Sequence, residues 1–415
     1  MQSWPSPEIP VVPGESTPPC LYDTSTASLV EAETGDTARL YVCGITPYDA
    51  THMGHAATYV SYDTLQRVWR DAGMTVHYAQ NITDIDDPLL ERARETGADW
   101  RDLADEQIDL FRNDMASLSV IPPDDFVAVT DVIDPIGRAV ERMLQNGTAY
   151  RVPTPESTAG DDVYFDIAAT EAAGVWTLGA ESRYDRETML TLSRERGGDP
   201  DRPGKRDPID PLVWRAARDG EPRWPSPLGE GRPGWHIECS VIALRELGTD
   251  FTVQGGGSDL IFPHHELSAA HAAALSGKPL ARVFNHTGMV AYQGEKMSKS
   301  LGNLVLVSAL RKQGTDPRII RLAILAHHYR SDWEWTDDLL PNSAQRMAEW
   351  TTGFAADSPG GADASTVLHD IRAALRHDLD TPTALAALDK ASASGVDDAA
   401  SVKAAIHALL GVALD

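Results

Sequence analysis

Between residues 38 and 83 the chain reads strand, helix, strand, and this unit constrains the fold more than any other feature. ARLYVCGIT (38–46) is a short apolar run that breaks at Gly44. The stretch HMGHAATYVSYDTLQRVWRDAG follows, with Tyr59, Leu65, Val68 and Trp69 at helical spacing and Gly73 as a stop. MTVHYAQNIT (74–83) is the second strand. A helix joining two strands makes them parallel, and parallel sheets take ligands at the carboxyl ends of their strands. An α/β domain is expected.

At 415 residues the chain exceeds one compact core, so two or three domains are expected. Residues 1–34 read as an N-terminal arm, Pro-rich and polar as far as residue 19. The first half of the sheet domain spans 35–147, mostly helical from Asp84 with a break at Pro122-Pro123. Gly, Pro and charge cluster with little period over 148–230, which reads as an inserted subdomain of short strands and loops. The second half of the sheet domain follows over 231–290, with a strand at DFTVQGGG (250–257) and a helix opening near Pro263. A loop with a helical connector (291–341) and an Ala-rich helical domain (342–415) complete the order, helical throughout after Asp316.

Charge removes several classes of function. The 36 Lys+Arg against 62 Asp+Glu leave a net −26, a field that repels phosphate backbones. Three cysteines (Cys20, Cys43, Cys239) cannot build a disulfide framework, which fits a reducing cytoplasm. No run approaches the roughly 20 apolar residues of a membrane span. The N-terminus lacks the basic-then-apolar pattern of a secretory signal.

Two motifs carry chemistry. His52-Met53-Gly54-His55 opens the first helix, where unpaired N–H groups and the positive end of the dipole suit phosphate. Gly54 permits close approach, and imidazoles at i and i+3 share a face. Alone, the motif reads equally well as two ordinary histidines at a helix start. The second motif is Lys296-Met297-Ser298-Lys299-Ser300, framed by Gly294 and Gly302. With seven lysines against 29 arginines in the chain, two lysines in this short loop stand out. A loop hinged by glycines suits ammonium groups that close over a polyphosphate. A solvated charged turn is the plain alternative, and pairing with HMGH after a βαβ unit weakens it.

With both motifs in order, the chain resembles the class I aminoacyl-tRNA synthetases. YVCGITPYD (41–49), GRPGWHIECS (231–240), GGGSDLIFPHHE (255–266) and HTGMVAYQGEKMSKS (286–300) resemble cysteinyl-tRNA synthetase in particular, across roughly residues 20–340. The resemblance implies a Rossmann-like catalytic core with an inserted subdomain and a C-terminal helical bundle. It implies ATP with Mg²⁺ as co-substrate, with His52 and His55 at the α-phosphate and Lys296 and Lys299 at the leaving pyrophosphate. Gly44, Ile45, Thr46, Thr58, Asn81, Ile82, Thr83 and Trp235 lie in or beside the matched motifs and are candidates for the amino-acyl and nucleotide pocket. Packing or capping is the plainer role for any one of them. Gly257, Ser258 and Asp259 suit the ribose at a strand end, and Val290 the adenine.

From spacing alone a metal site would be a weak inference, since no CxxC pair exists and free cysteines are usually small buried hydrophobes. The resemblance implies one Zn²⁺ per chain on Cys43, Cys239 and His264, rather than His265, holding the substrate cysteine. Thiolates with imidazole suit zinc better than magnesium or calcium. The family also uses a glutamate four residues after that histidine, and here Ser268 stands there. Three protein ligands and an open position remain. Cys20 is expected to be a bystander.

Two departures bear on the acceptor. The synthetases continue past the segment matching LRHDLDTPTALAAL (375–388) into an anticodon-reading domain, whereas this sequence ends at Asp415. Its tail from 342 has ten acidic residues against five basic, without the stripe that RNA binding needs. Glu195-Arg196-Gly197-Gly198-Asp199-Pro200 resembles a block of the actinobacterial cysteine ligases of mycothiol synthesis. That resemblance implies transfer of cysteine from its adenylate to the amine of glucosaminyl-inositol, with Glu195 and Asp199 as a source of carboxylate for the amine. Asp259, His55 or solvent could each accept the amine proton. The expected partners are small molecules, namely L-cysteine, ATP and glucosaminyl-inositol, with no nucleic acid and no membrane, on a cytoplasmic monomer. A truncated cysteinyl-tRNA synthetase is the alternative, and a non-catalytic synthetase-like binding protein a third. Cysteine-dependent ATP–pyrophosphate exchange separates that third reading from the two enzymes.

Overall fold

The computed structural model describes residues 1–32, 35–48, 51–297 and 302–414. At its centre lies a five-stranded parallel sheet. Thr37–Val42, Thr75–Ile82 and Asp125–Ala128 run to one side, and Phe251–Gly257 and Ala281–Thr287 to the other. Thr37–Val42 also pairs with Phe251–Gly257, so the order of strands reverses between these two. The strands are buried on both faces, as a parallel sheet sandwiched by helices requires. Helix Met53–Asp71 makes the first crossover, opened by the His52 ring accepting from the Gly54 N–H and followed by Gly73 at φ +78°.

The strand Asp125–Ala128 interrupts a stretch that reads as helical. Four residues are too few to show a period. Asp124 places the strand instead, its N–H donating to the Tyr78 carbonyl and its carboxylate accepting from the Tyr78 N–H, at 2.8 and 2.9 Å. The first strand ends at Val42 rather than 46, because the chain turns there toward Asn81.

The N-terminal segment is anchored. Trp4 is buried between Phe111 and Phe126 and donates to the Val120 carbonyl at 2.8 Å. Cys20–Asp23 and Ser28–Glu31 form a hairpin, so Cys20 belongs to a strand. Ala149–Val152, Asp162–Phe165, Leu212–Ala216 and Gly231–Pro233 form a four-stranded antiparallel sheet. The last of these strands falls in the segment read as the return to the sheet domain.

Beyond the sheet, Val290–Tyr292 pairs with Glu295–Lys296 and, in parallel, with Trp333–Trp335. That last strand breaks the helical reading after Asp316. Helices Leu339–Gly353, Ala364–Arg376, Thr381–Ser394 and Ala399–Leu410 form the C-terminal bundle. Its final helix docks on the first crossover helix through a buried ion network of Asp63, Arg67 and Arg321. Among the described residues no helix is long and apolar enough to cross a membrane.

Candidate active site

The reversal in strand order opens a crevice, and the residues just past its two strands line it. Gly44 is obligatory there, since a Cβ would lie 1.6 Å from the Asn81 carbonyl oxygen. The Asn81 side-chain oxygen accepts from the Gly44 N–H (2.9 Å) and the Tyr41 hydroxyl (3.0 Å), and its amide donates to Thr83 Oγ1. The Thr83 N–H closes the brace on the Ile45 carbonyl at 3.0 Å. Asn81, Ile82 and Thr83 are all buried behind the crevice, so they shape its wall without forming it.

The cavity measures about 430 Å³, within the range of small-molecule sites. Cys43, Gly44, Ile45, Thr46, His52, His55, Thr58, Trp235, Gly257, Asp259 and Val290 line it. His52 and His55 stack with ring centroids 3.9 Å apart, on one face of the helix start. Thr58 shares a hydrogen bond with Thr287 at 2.9 Å. Ser258 lies outside the lining. The backbone of Lys296 pairs with Ala291 in the short hairpin, and Lys299 lies outside the described residues.

Several lining residues stand outside the candidate site residues read from the sequence, namely Tyr48, Tyr59, Leu260, Gly288, Met289, Met297 and Leu304. They sit in or beside the motifs but bear no charged group to draw notice. Gly288 had a detectable signal as a glycine next to a strand. A Cβ there would lie 2.2 Å from the Ser331 carbonyl oxygen.

Cys43, in the cavity lining, meets Cys239 and His264 behind it, all three buried, with their ligand atoms within 4.8 Å of one another. They come from a strand end, a helix and the turn after the fourth strand of the sheet. The two sulfurs are 4.0 Å apart. Tetrahedral zinc, about 2.3 Å from each sulfur, needs a separation of about 3.8 Å, so the pair fits. The imidazole of His264 packs on Trp235 at 4.4 Å and shares a hydrogen bond with His236 Nδ1 at 3.0 Å. Such outer contacts fix a ligating ring. Ser268 spends its hydroxyl on the His236 carbonyl at 3.3 Å and supplies no fourth ligand.

His265 stands beside this cluster. Its Nε2 lies 3.2 Å from Cys43 Sγ and its Nδ1 2.7 Å from His286 Nε2. Burial holds His236 and His265 well below the ordinary imidazole range, so both are neutral. Burial, with Cys239 alongside, pushes the Cys43 thiol up. The hydrogen bond from Cys43, and then His264, pull Cys239 down despite its burial. A metal takes its thiol ligands as thiolates.

The acidic pair in the inserted segment stands apart from the cavity. Asp199 accepts from Lys205 Nζ at 3.0 Å and from the Tyr164 hydroxyl, and Glu195 is exposed. Neither lines the cavity.

Residues 29–345 match the family described as tRNA synthetases class I (C) catalytic domain. A protein of Clavibacter michiganensis subsp. michiganensis, named L-cysteine:1D-myo-inositol 2-amino-2-deoxy-alpha-D-glucopyranoside ligase, is 60% identical over 100% of this chain and 99% of its own. The protein of that name from Gordonia bronchialis is 56% identical, with 100% of both chains covered. Among solved structures, Mycobacterium tuberculosis methionyl-tRNA synthetase in complex with methionyl-adenylate superposes with a TM-score of 0.63. At 17% identity, over 91% of this chain and 82% of that one, the likeness is one of fold.

Proposed function

The chain belongs to the class I (C) tRNA synthetase catalytic-domain family, and on that premise we propose that it is an ATP-dependent cysteine ligase. It activates L-cysteine as cysteinyl-adenylate, releasing pyrophosphate. It then joins the cysteinyl group to the amine of 1D-myo-inositol 2-amino-2-deoxy-alpha-D-glucopyranoside, releasing AMP. The relatives that carry this activity in their names match over their full length. The observation that carries the reading is the Cys43, Cys239 and His264 cluster, set against a cavity that also holds the stacked His52 and His55.

Each step follows from what the lining can do. His52 and His55 receive the α-phosphate of MgATP, with the positive end of the helix dipole behind them. Gly257 and Asp259 take the ribose and Val290 the adenine. Lys296 and Lys299 close on the leaving pyrophosphate. When bound, zinc supplies a soft acceptor that takes the substrate thiol and discriminates against the hard hydroxyl of serine. Trp235 and Thr46 bound the space left for the cysteine side chain. The activated acyl carbon then needs an amine held in line and stabilisation of its oxyanion, without a covalent enzyme nucleophile. The amine gives up its proton to Asp259, His55 or solvent, and both of those side chains face the cavity.

We read the protein as a cytoplasmic monomer, the compartment resting on its three unpaired cysteines. Nucleic acid is not its acceptor in this reading, because the net charge of −26 offers few cations to phosphate. The test is product mass after incubation with ATP, cysteine and either the amino sugar or cysteine tRNA. A cysteinyl amide of the sugar and uncharged tRNA are expected. Charging of the tRNA at a rate matching the sugar ligation would reverse the assignment.

A further inference from the structure

The ERGGDP block lies outside the lining of the active-site cavity, yet one of its side chains reaches the active-site turn. Arg196 Nη1 donates to the carbonyls of both Asp259 and Phe262. These carbonyls lie on the irregular turn between strand Phe251–Gly257 and helix Glu266–Ser276. The turn bears Asp259 in the cavity lining and His264 in the thiol cluster.

The rest of the block holds Arg196 in place. Helix Arg186–Glu195 ends at Arg196, whose N–H donates to the Leu192 carbonyl at 3.0 Å. Gly197 then takes φ +85°, a conformation side chains disfavour. The Gly198 N–H bonds back to the Ser193 carbonyl at 2.8 Å, and a Cβ on Gly198 would lie 2.2 Å from Ser193 Oγ. These are the contacts of a Schellman cap. Asp199 ties the cap to the antiparallel sheet through Tyr164 and Lys205. The inserted segment also grips the far end of the turn, where the Glu266 carboxylate accepts from the N–H groups of Gly179 (2.9 Å) and Ser182 (2.7 Å).

We propose that Arg196 is a positioning residue that fixes Asp259 for the nucleotide by clamping its backbone, and that the Gly-Gly cap and Asp199 exist to aim it. This rests on the reading above, in which Asp259 faces the ribose. Both N–H bonds of Nη1 are spent on the two carbonyls in directions fixed by the guanidinium plane, whereas a lysine's donors rotate on a flexible stem. His264 is separately held by Trp235 and His236, so loss of the clamp acts on the nucleotide and spares the cysteine.

The experiment is cysteine-dependent ATP–pyrophosphate exchange in Arg196→Lys and Arg196→Met, in the full chain and in an Asp259→Ala background. KM for ATP should rise roughly tenfold in both single variants, the scale of a displaced binding group. KM for cysteine and zinc content should match the unsubstituted chain. In the Asp259→Ala background, Arg196→Met should add less than about twofold. An unchanged KM for ATP in Arg196→Met, or an equal rise in both backgrounds, overturns the clamp. So does a loss in both single variants accompanied by loss of zinc. Asp259→Ala with unaltered exchange would instead overturn the ribose assignment of Asp259, a separate failure.

Discussion

Replacing Asp63 by alanine should destabilise the protein by about 3–5 kcal/mol, because it strands two buried cations. The Asp63 carboxylate is fully buried on the crossover helix and accepts from Arg67 Nε (2.7 Å), from Arg321 Nη2 and from the Ile121 N–H (2.7 Å). The two guanidiniums spend their other donors on backbone carbonyls. Arg67 reaches His407, Ala408 and Ser119, and Arg321 reaches Leu410 and Leu118. The last helix of the bundle is therefore held at its carboxyl end by cations, the sign its dipole favours. Burial pulls Arg321 down to about 10 even with Asp63 beside it, which shows how far the guanidinium depends on that carboxylate.

An unfolding entropy of about 2.1 cal/mol/K per residue over the 415 residues gives about 0.9 kcal/mol/K, so the loss corresponds to about 3–6 °C in Tm. Thermal melts followed by circular dichroism and by residual exchange activity should shift together, since the crossover helix also carries His52 and His55. Substituting leucine for Asp63 and methionine for both arginines should recover part of the shift. The pH dependence has a definite sign. Burial raises the Asp63 pKa, but Arg321 and Arg67 outweigh it and leave the folded value below the ordinary aspartate range. The contribution is then complete above the unfolded pKa of about 3.9 and vanishes as pH falls through the folded value. A Tm for Asp63→Ala within 1 °C of the parent at pH 7 would refute this account.

Cys239→Ser should reduce bound zinc, measured by elemental analysis, to well below one per chain and cut cysteine-dependent exchange by roughly 10²-fold or more. His55→Ala, Lys296→Ala and Lys299→Ala should each slow adenylate formation by about 10²-fold, near 2.7 kcal/mol, with cysteine affinity measured by titration little changed. Gly44→Ala should yield little soluble protein or a chain inactive in exchange, because its Cβ has no room against Asn81. Raising salt from 50 to 200 mM should change KM for the amino sugar less than twofold. An acceptor held by six or more phosphate contacts would instead weaken by about 10³-fold or more.

What the sequence disclosed was chemistry concentrated in short motifs. HMGH marked the helix start, and Cys43, Cys239 and His264 were named together from the resemblance alone, 221 residues apart at the extremes. What it withheld was decided by tertiary contact. Asn81 and Thr83 adjoin the motifs yet turn their side chains to one another and to Gly44. Asp199 looked available as a carboxylate until the fold placed Lys205 and Tyr164 against it. The strands Asp125–Ala128 and Trp333–Trp335 are too short to carry a period, and each exists because a partner strand lies alongside. Arg196 acts on carbonyls 63 and 66 residues away, and a backbone acceptor leaves no mark in a sequence.

Part of the chain's acidity sits where the structure has a use for it, and the charge as a whole has an electrostatic consequence. Asp86, Asp99, Asp166, Asp185, Asp316, Asp363, Asp380 and Asp398 each cap a helix with a side-chain hydrogen bond to a backbone N–H. Such a cap stabilises its helix by about 1 kcal/mol, and the carboxylate gains further from the dipole. Three of the eight begin helices of the C-terminal bundle, where acidic residues outnumber basic ones two to one. Asparagine or serine would cap nearly as well without charge, so capping accounts for aspartate being tolerated at these positions and leaves the excess of charge itself to another cause. On the proposed reading the surface never has to hold a phosphate backbone and is free to accumulate that excess. A neutral, hydroxyl-rich sugar loses nothing by approaching it, and an amine in its protonated form is drawn toward it. On that reading the field favours the amino sugar over a tRNA before any contact is made, and the cations the proposed reaction needs are Lys296 and Lys299.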